Sequence, residues 1–140
     1  MKYKLIAVDM DGTLLDNQSN ITPATLRAVK RVVEEGVLFV IATGRSVRGL
    51  AKYQQVLALP GPVITYNGAM ILRGDTMLFE LGLGTDDARR IFALGQQYGT
   101  TMCIWSGNQL YCNRLNERIT KYQELAGMEA LLLNDIEEVL

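Results

Sequence analysis

Apolar positions along this chain fall into short continuous runs that alternate with helical stripes. Residues 4–8, with the run Leu5-Ile6-Ala7-Val8, end at a turn signal and predict a short, fully buried strand. Thr22-Pro23 then opens a helix, Thr22 as N-cap and Pro23 at the first helical position. Leu26, Val29, Val32 and Val33 recur at helical spacing through Glu35, and Gly36 stops the helix. Val37 to Ala42 is a second buried strand. Thr43-Gly44-Arg45-Ser46 follows, with Thr43 or Ser46 placed to cap a second helix that runs to about Leu59. Pro60-Gly61-Pro62 makes a loop, and Val63-Ile64-Thr65 a third strand. Strands alternating with helices imply βαβ units, a parallel sheet and right-handed crossovers.

The pattern changes after the third strand. Ala69 to Leu72 and Thr76 to Leu81 flank Arg73-Gly74-Asp75 as a hairpin, and Gly82 and Gly84 mark a boundary. Thr85-Asp86-Asp87 caps a helix carrying Ala88, Ile91, Phe92 and Leu94. Thr101 to Trp105 and Gln109 to Asn113 form a second hairpin around Ser106-Gly107-Asn108. A helix with Ile119, Tyr122, Leu125 and Ala126 comes next. The expected fold class is therefore α/β. Residues 1–81 form part of a doubly wound, Rossmann-like parallel sheet, and residues 82–140 open a separate α+β unit. Three parallel strands make a small sheet, and both its faces require cover.

Composition narrows the chemistry. The 140 residues carry a net charge of -1 with no block of like charge, so there is no electrostatic footprint for nucleic acid. There is no histidine, which excludes serine–histidine and cysteine–histidine catalysis and any histidine metal site. General acids and bases must come from Asp, Glu, Lys, Tyr or Cys. The N-terminus carries no secretory signal, and its apolar run is too short to span a membrane. The expectation is a cytoplasmic protein with no membrane partner. Cys103 and Cys112 could face one another on neighbouring strands, and a reduced, buried pair of core residues is expected. Trp105 and Tyr111 on the second hairpin read as packing residues or as substrate-facing aromatics.

The chemically suggestive string is Asp9-Met10-Asp11-Gly12-Thr13-Leu14, directly after the first strand. Carboxylates two apart on an extended segment point the same way, and Gly12 lets the backbone turn off sharply. That places two acids at a strand's carboxyl end, where open α/β sheets hold their ligands. Such a pair suits Mg²⁺, which prefers oxygen ligands and uses one or two carboxylates plus substrate phosphate oxygens. Taken alone, Asp and Gly after a strand also mark an ordinary turn, Thr43-Gly44 an ordinary helix cap, and Asn67-Gly68 a hairpin turn.

Taken together, Asp9-Met10-Asp11-Gly12-Thr13-Leu14, Ile41-Ala42-Thr43-Gly44-Arg45 and Tyr66-Asn67-Gly68-Ala69 resemble the haloacid-dehalogenase-like phosphatases, most closely the Cof-type sugar-phosphatase branch. The resemblance implies a phosphatase of small phosphorylated metabolites, with residues 1–81 in its core and 82–140 opening its cap. Asp9 would be the nucleophile and a Mg²⁺ ligand. Asp11 would be general acid and then base, its carbonyl also on the metal, and its pKa is expected to be raised by the crowded site. The amides of Met10 and Asp11 would cradle the phosphate. Thr43 and the Gly44 amide would bind phosphoryl oxygens, and Arg45, Asn67 and Gly68 would border the substrate.

The resemblance also implies a lysine and a Gly-Asp-x-x-x-Asp-type acidic loop that these 140 residues do not show. Lys121 falls on the second unit's last helix, and Asn134-Asp135 lacks a preceding glycine and strand. Two expectations follow: a piece of a longer phosphatase, or a short chain that forms a homo-oligomer through an open sheet edge. Weak Mg²⁺ affinity and weak turnover are expected of this chain alone. A non-catalytic chain binding phosphate or a partner, and a phosphomutase, are the alternative functions.

Overall fold

Three parallel strands, β1 (Leu5–Val8), β2 (Leu38–Ala42) and β3 (Val63–Thr65), bring their carboxyl ends to one edge of a sheet. An antiparallel hairpin, β4 (Met70–Arg73) and β5 (Thr76–Glu80), extends it in the order β1-β2-β3-β4-β5. These elements belong to a computed structural model that describes residues 3–140. The chain divides into two compact units, Met1–Leu81 and Gly82–Leu140. Among the described residues no helix is long and apolar enough to cross a membrane.

Helix α1 (Pro23–Glu34) links β1 to β2, and α2 (Val47–Leu57) links β2 to β3. The Thr22 hydroxyl accepts from the Thr25 amide at 3.1 Å, and Pro23 costs nothing where the amide would be unbonded. Ser46, not Thr43, caps α2 by accepting from the Gly49 amide at 3.1 Å. The helix stops at Leu57, short of Leu59, because Ala58 takes a left-handed conformation and the residue before Pro60 disfavours helical geometry.

Both helices pack on one face of the sheet. Val29 of α1 and Leu50, Tyr53 and Leu57 of α2 meet Phe39, Ile41 and Val63, with Ile6 and Val8 half-buried beside them. The cause is topological. Both crossovers step the same way along the sheet, and right-handed connections then place both helices on the same side. The reading of β1 as fully buried is corrected accordingly. Ile6 and Val8 face the core, whereas Leu5 and Ala7 are exposed on the other face, Leu5 at 52%. Leu38, the register partner of Leu5, is exposed too, so β2 is buried only from Phe39 onward. Phe79 lies exposed on that same face, reached through the register Ile64–Ile71–Phe79. β1 pairs with β2 alone among the described residues, which leaves its other edge open.

In the second unit, α3 (Thr85–Gln97) precedes a hairpin of β6 (Cys103–Ser106) and β7 (Gln109–Cys112). α4 (Glu117–Ala126), the two-residue strand β8 (Leu131–Leu132) and a short 3-10 turn (Ile136–Glu138) follow. Gly84, not Thr85, is the N-cap residue of α3. Gly107 and Asn108 both adopt positive φ, the geometry of a tight two-residue hairpin turn. Here each sheet face is covered. Leu110 and Cys112 pack on Ile119 and Ala126 of α4, while Ile104 and Tyr111 pack with Phe92 of α3, Leu133 and Ile136.

Cys103 and Cys112 are register partners across the hairpin. Cys112, on the central strand, is buried, but Cys103 is exposed, because β6 is the sheet's edge. The expectation that both are buried core residues is corrected for Cys103. Both thiols are pushed up chiefly by desolvation. Trp105 and Tyr111 are half-buried packing residues, and the Trp105 indole donates to the Tyr122 hydroxyl at 3.2 Å. A strand does precede Asn134, namely β8, and Asp135 caps the last turn in a reciprocal pair with Glu138.

Two outcomes follow from this packing. Leu50 is fully buried. Leu50→Ala should cost about 2–5 kcal/mol in a denaturant melt, the loss of transfer energy plus a cavity. Leu5→Lys should leave stability within about 0.5 kcal/mol, as expected of a surface change, and should lower the binding of an apolar fluorescent dye. A large loss of stability for Leu5→Lys would mean that this face is covered in solution.

Candidate active site

The sequence-predicted residues gather at the carboxyl ends of β1, β2 and β3. Asp9 follows β1 directly and is exposed; it stands at the N-cap position of the turn Met10–Leu14, yet its side chain makes no capping hydrogen bond. Its carboxylate is therefore not consumed in closing the turn. The turn is held instead by the main chain, with the Leu14 amide donating to the Asp9 carbonyl and the Leu15 amide to the Met10 carbonyl. Met10, Leu14 and Leu15 are buried and anchor it. Gly12 at φ 75° supplies the reversal that a side chain would resist.

Thr43 follows β2 and is buried. Its amide donates to the Ile64 carbonyl of β3, and its hydroxyl accepts from the Arg45 amide at 3.2 Å. That leaves the hydroxyl hydrogen as the donor. After β3, Tyr66, Asn67 and Gly68 run through three successive positive φ values of 50°, 56° and 98°. Such geometry is uncommon for non-glycine residues and costly for Tyr66. It is held by main-chain bonds from the Tyr66 amide to the Arg45 carbonyl and from the Asn67 amide to the Thr43 carbonyl. The two loops thus lock together. A Cβ on Gly44 would lie 2.7 Å from the Asn67 side-chain oxygen, so a side chain there would push the Asn67 amide group aside.

Arg45 departs from the sequence expectation. Its guanidinium grips Asp11 at both oxygens, Nε to Oδ2 at 2.9 Å and a terminal nitrogen to Oδ1 at 2.7 Å. The Arg45 side chain is only 5% exposed, against 50% for Asp11. The hydrogen bond from Arg45, aided by its charge and opposed by burial, holds the Asp11 carboxyl below its usual range. The expectation of a raised Asp11 pKa is corrected: the nearest neighbour of this carboxylate is a buried cation, not another acid.

Tyr53 carries no signal in the sequence beyond an apolar stripe on α2. In the fold its hydroxyl accepts from Arg45 at 3.5 Å and donates to the Ser19 carbonyl at 3.0 Å. Eight residues separate it from Arg45, about two helical turns, but only the fold shows that the hydroxyl points back to the guanidinium.

The donor chemistry suits a hard cation. The Asp9 carboxylate and the Asp11 carbonyl are oxygen donors at one end of β1, and Mg²⁺ completes its shell with waters and phosphate oxygens. Among the described residues no three or more acidic or cysteine side chains converge as a metal cage.

Comparison with known proteins agrees with the fold and the motifs. The sequence profile of the haloacid dehalogenase-like hydrolases matches residues 6–138. From Bacillus subtilis (strain 168), the protein named "Putative phosphatase YxeH" is 36% identical over 143 residues, covering 98% of this chain and 53% of that protein. The 5-amino-6-(5-phospho-D-ribitylamino)uracil phosphatase YcsE of the same organism is 32% identical, covering 87% and 49%. The solved structure of the subclass IIB sugar phosphatase BT4131 superposes with a TM-score of 0.82 at 21% identity, covering 97% of this chain and 54% of that one, a likeness of fold. The chain spans about half the length of the relatives it matches. With its three motifs in place at the ends of β1, β2 and β3, the chain belongs to the haloacid dehalogenase-like hydrolase family.

Proposed function

We propose that this chain carries the nucleophile half of a Mg²⁺-dependent phosphatase acting on small phosphorylated metabolites, sugar phosphates foremost. The observation that carries the reading is the exposed Asp9 carboxylate at the end of β1, free of any capping role, beside the interlocked Thr43-Gly44 and Asn67-Gly68 loops. The names of YcsE and BT4131, a phosphatase of a phosphorylated ribityl compound and a sugar phosphatase, support the substrate class.

The chemistry divides among the chain's own residues. An Asp9 oxygen attacks phosphorus, the ester P–O bond breaks, and the leaving oxygen takes a proton from Asp11, which has to carry that proton against the preference of Arg45 for its charged form. Water then gives a proton to Asp11 and attacks the aspartyl-phosphate, releasing phosphate and restoring Asp9. The Thr43 hydroxyl and the Met10, Asp11 and Gly44 amides stabilise the equatorial oxygens, where charge accumulates. Mg²⁺, held by Asp9 and the Asp11 carbonyl, would neutralise charge between phosphate and carboxylate. Arg45, Asn67 and Gly68 border the site. A second reading, phosphate binding without turnover, is favoured by one observation: no third acidic side chain joins Asp9 and Asp11 among the described residues.

A phosphate-release assay on sugar phosphates tests the reading. Turnover by the 140-residue chain should be weak, should require Mg²⁺, and should fall to background in Asp9→Asn. Release that Asp9→Asn leaves intact would sink it, and phosphate binding with no release would favour the second reading.

The Asp11–Arg45 pair also sets a pH dependence. A carboxyl held below its ordinary value of 3.8 contributes stability that is present above that value and lost as pH falls through the lower folded value. Asp11 is half-exposed, so solvent screens part of the gain. Asp11→Asn should therefore lose stability less steeply than the parent below about pH 4 in an acid titration followed by circular dichroism.

A further inference from the structure

Arg45 is fixed on every side that the structure shows. Its amide donates to the Thr43 hydroxyl, and its carbonyl accepts from the Tyr66 amide. One terminal nitrogen reaches the Tyr53 hydroxyl, and its central guanidinium carbon lies 5.2 Å from the centroid of the Tyr53 ring. Tyr53 is itself buried and tied to the Ser19 carbonyl at 3.0 Å, a group in the loop that leads from the Asp11 turn to α1. Nε and the other terminal nitrogen donate to the two oxygens of Asp11, so three of the five guanidinium N–H groups are engaged by Asp11 and Tyr53.

This arrangement leaves Arg45 poorly placed to bind substrate. Its side chain is almost wholly buried, and its Nε and both terminal nitrogens already donate to Asp11 or Tyr53. A planar fork matches a carboxylate at two points and fixes its orientation as well as its position. Asp11 is half-exposed beside a glycine turn, so little else restrains its carboxylate.

We propose that Arg45 and Tyr53 are positioning residues: Tyr53 pins the guanidinium, and Arg45 in turn holds the Asp11 carboxylate at the mouth of the site. This deepens the phosphatase reading and rests on its assignment of Asp11 as acid and base. Arg45 then contributes to turnover through Asp11 rather than through contact with substrate. The chain of contacts runs Ser19 carbonyl, Tyr53 hydroxyl, Arg45 guanidinium, Asp11 carboxylate. It lies wholly in the first unit and joins α2 to the turn after β1.

The test is the Arg45 Nε–H signal in the nitrogen-15 spectrum of the full chain. The parent should show a separate signal whose hydrogen exchanges with water at least about tenfold more slowly than that of an exposed arginine, as a buried hydrogen bond requires. Asp11→Asn should abolish that protection. Tyr53→Phe, which keeps the ring and removes only the hydroxyl, should speed exchange severalfold while the rest of the spectrum stays in place. Fast exchange in the parent, or protection unchanged in Asp11→Asn, would overturn the proposal. Because Asp11 is exposed, Asp11→Asn reports even if an Arg45 variant fails to fold.

Kinetics separate this proposal from the reading beneath it. Alkyl phosphates have poor leaving groups that depend on a general acid, whereas p-nitrophenyl phosphate does not. Tyr53→Phe and Arg45→Lys should lower kcat for an alkyl phosphate by about tenfold or more, with KM within about threefold, and should affect p-nitrophenyl phosphate less, since it needs Asp11 only as the base of the second step. A raised KM at unchanged kcat would place Arg45 on the substrate and overturn the positioning role. If Asp11→Asn leaves turnover of both substrates unchanged while the Nε–H protection pattern holds, the acid and base assignment of Asp11 fails and the clamp stands. If the chain turns over neither substrate, the exchange comparison decides alone.

Discussion

The handedness of the two β-α-β crossovers governs the first unit. Each right-handed connection returns the chain parallel to its start, and both step the same way along the sheet. One consequence is functional. Three strand ends lie side by side, so residues far apart in sequence, Asp9, Thr43 and Asn67, share one edge. The other consequence concerns packing. Both helices fall on one face, and Leu5, Ala7, Leu38 and Phe79 are left exposed on the other, beside the open edge of β1. The second sheet meets the same requirement differently, with α4 on one face and α3 with the final turn on the other.

Within the site, loop geometry is specified by close approach rather than by side-chain chemistry. Gly44 lets the Asn67 amide group approach to where a Cβ would crowd it at 2.7 Å. The left-handed run Tyr66-Asn67-Gly68 persists because main-chain bonds to Thr43 and Arg45 hold it. Backbone strain of this kind survives only where its surroundings over-determine it. The two loops are thereby tied to each other at the same sheet edge as the exposed Asp9.

Electrostatics in the site run against the simplest reading of an acidic pair. Two carboxylates two residues apart raise each other's pKa when nothing intervenes. Here Arg45 intervenes and favours the charged form of Asp11. Desolvating an arginine this deeply is costly, and the bidentate contact with Asp11 and the approach of Tyr53 offset part of that cost by engaging all three of its nitrogens. The pair therefore indicates a fixed geometry more than a gain in stability.

The sequence by itself determined the local elements and the identity of the motif residues. Thr22-Pro23 starts α1, Gly107-Asn108 turns the second hairpin, and Asp9-Met10-Asp11-Gly12 follows a strand, because caps, turns and periodicity are written in neighbouring residues. Tertiary structure alone decided what depends on distant partners. The full burial expected of β1 failed because burial depends on which sheet face the crossovers leave covered. Cys103 is exposed and Cys112 buried because one strand is an edge and the other is central. The charge state of Asp11 turned on Arg45, 34 residues away, and on a tyrosine hydroxyl that reads in sequence as one more core position. Short-range propensity acts over a few residues, whereas a side chain's field and its cover from solvent come from whatever the fold brings beside it.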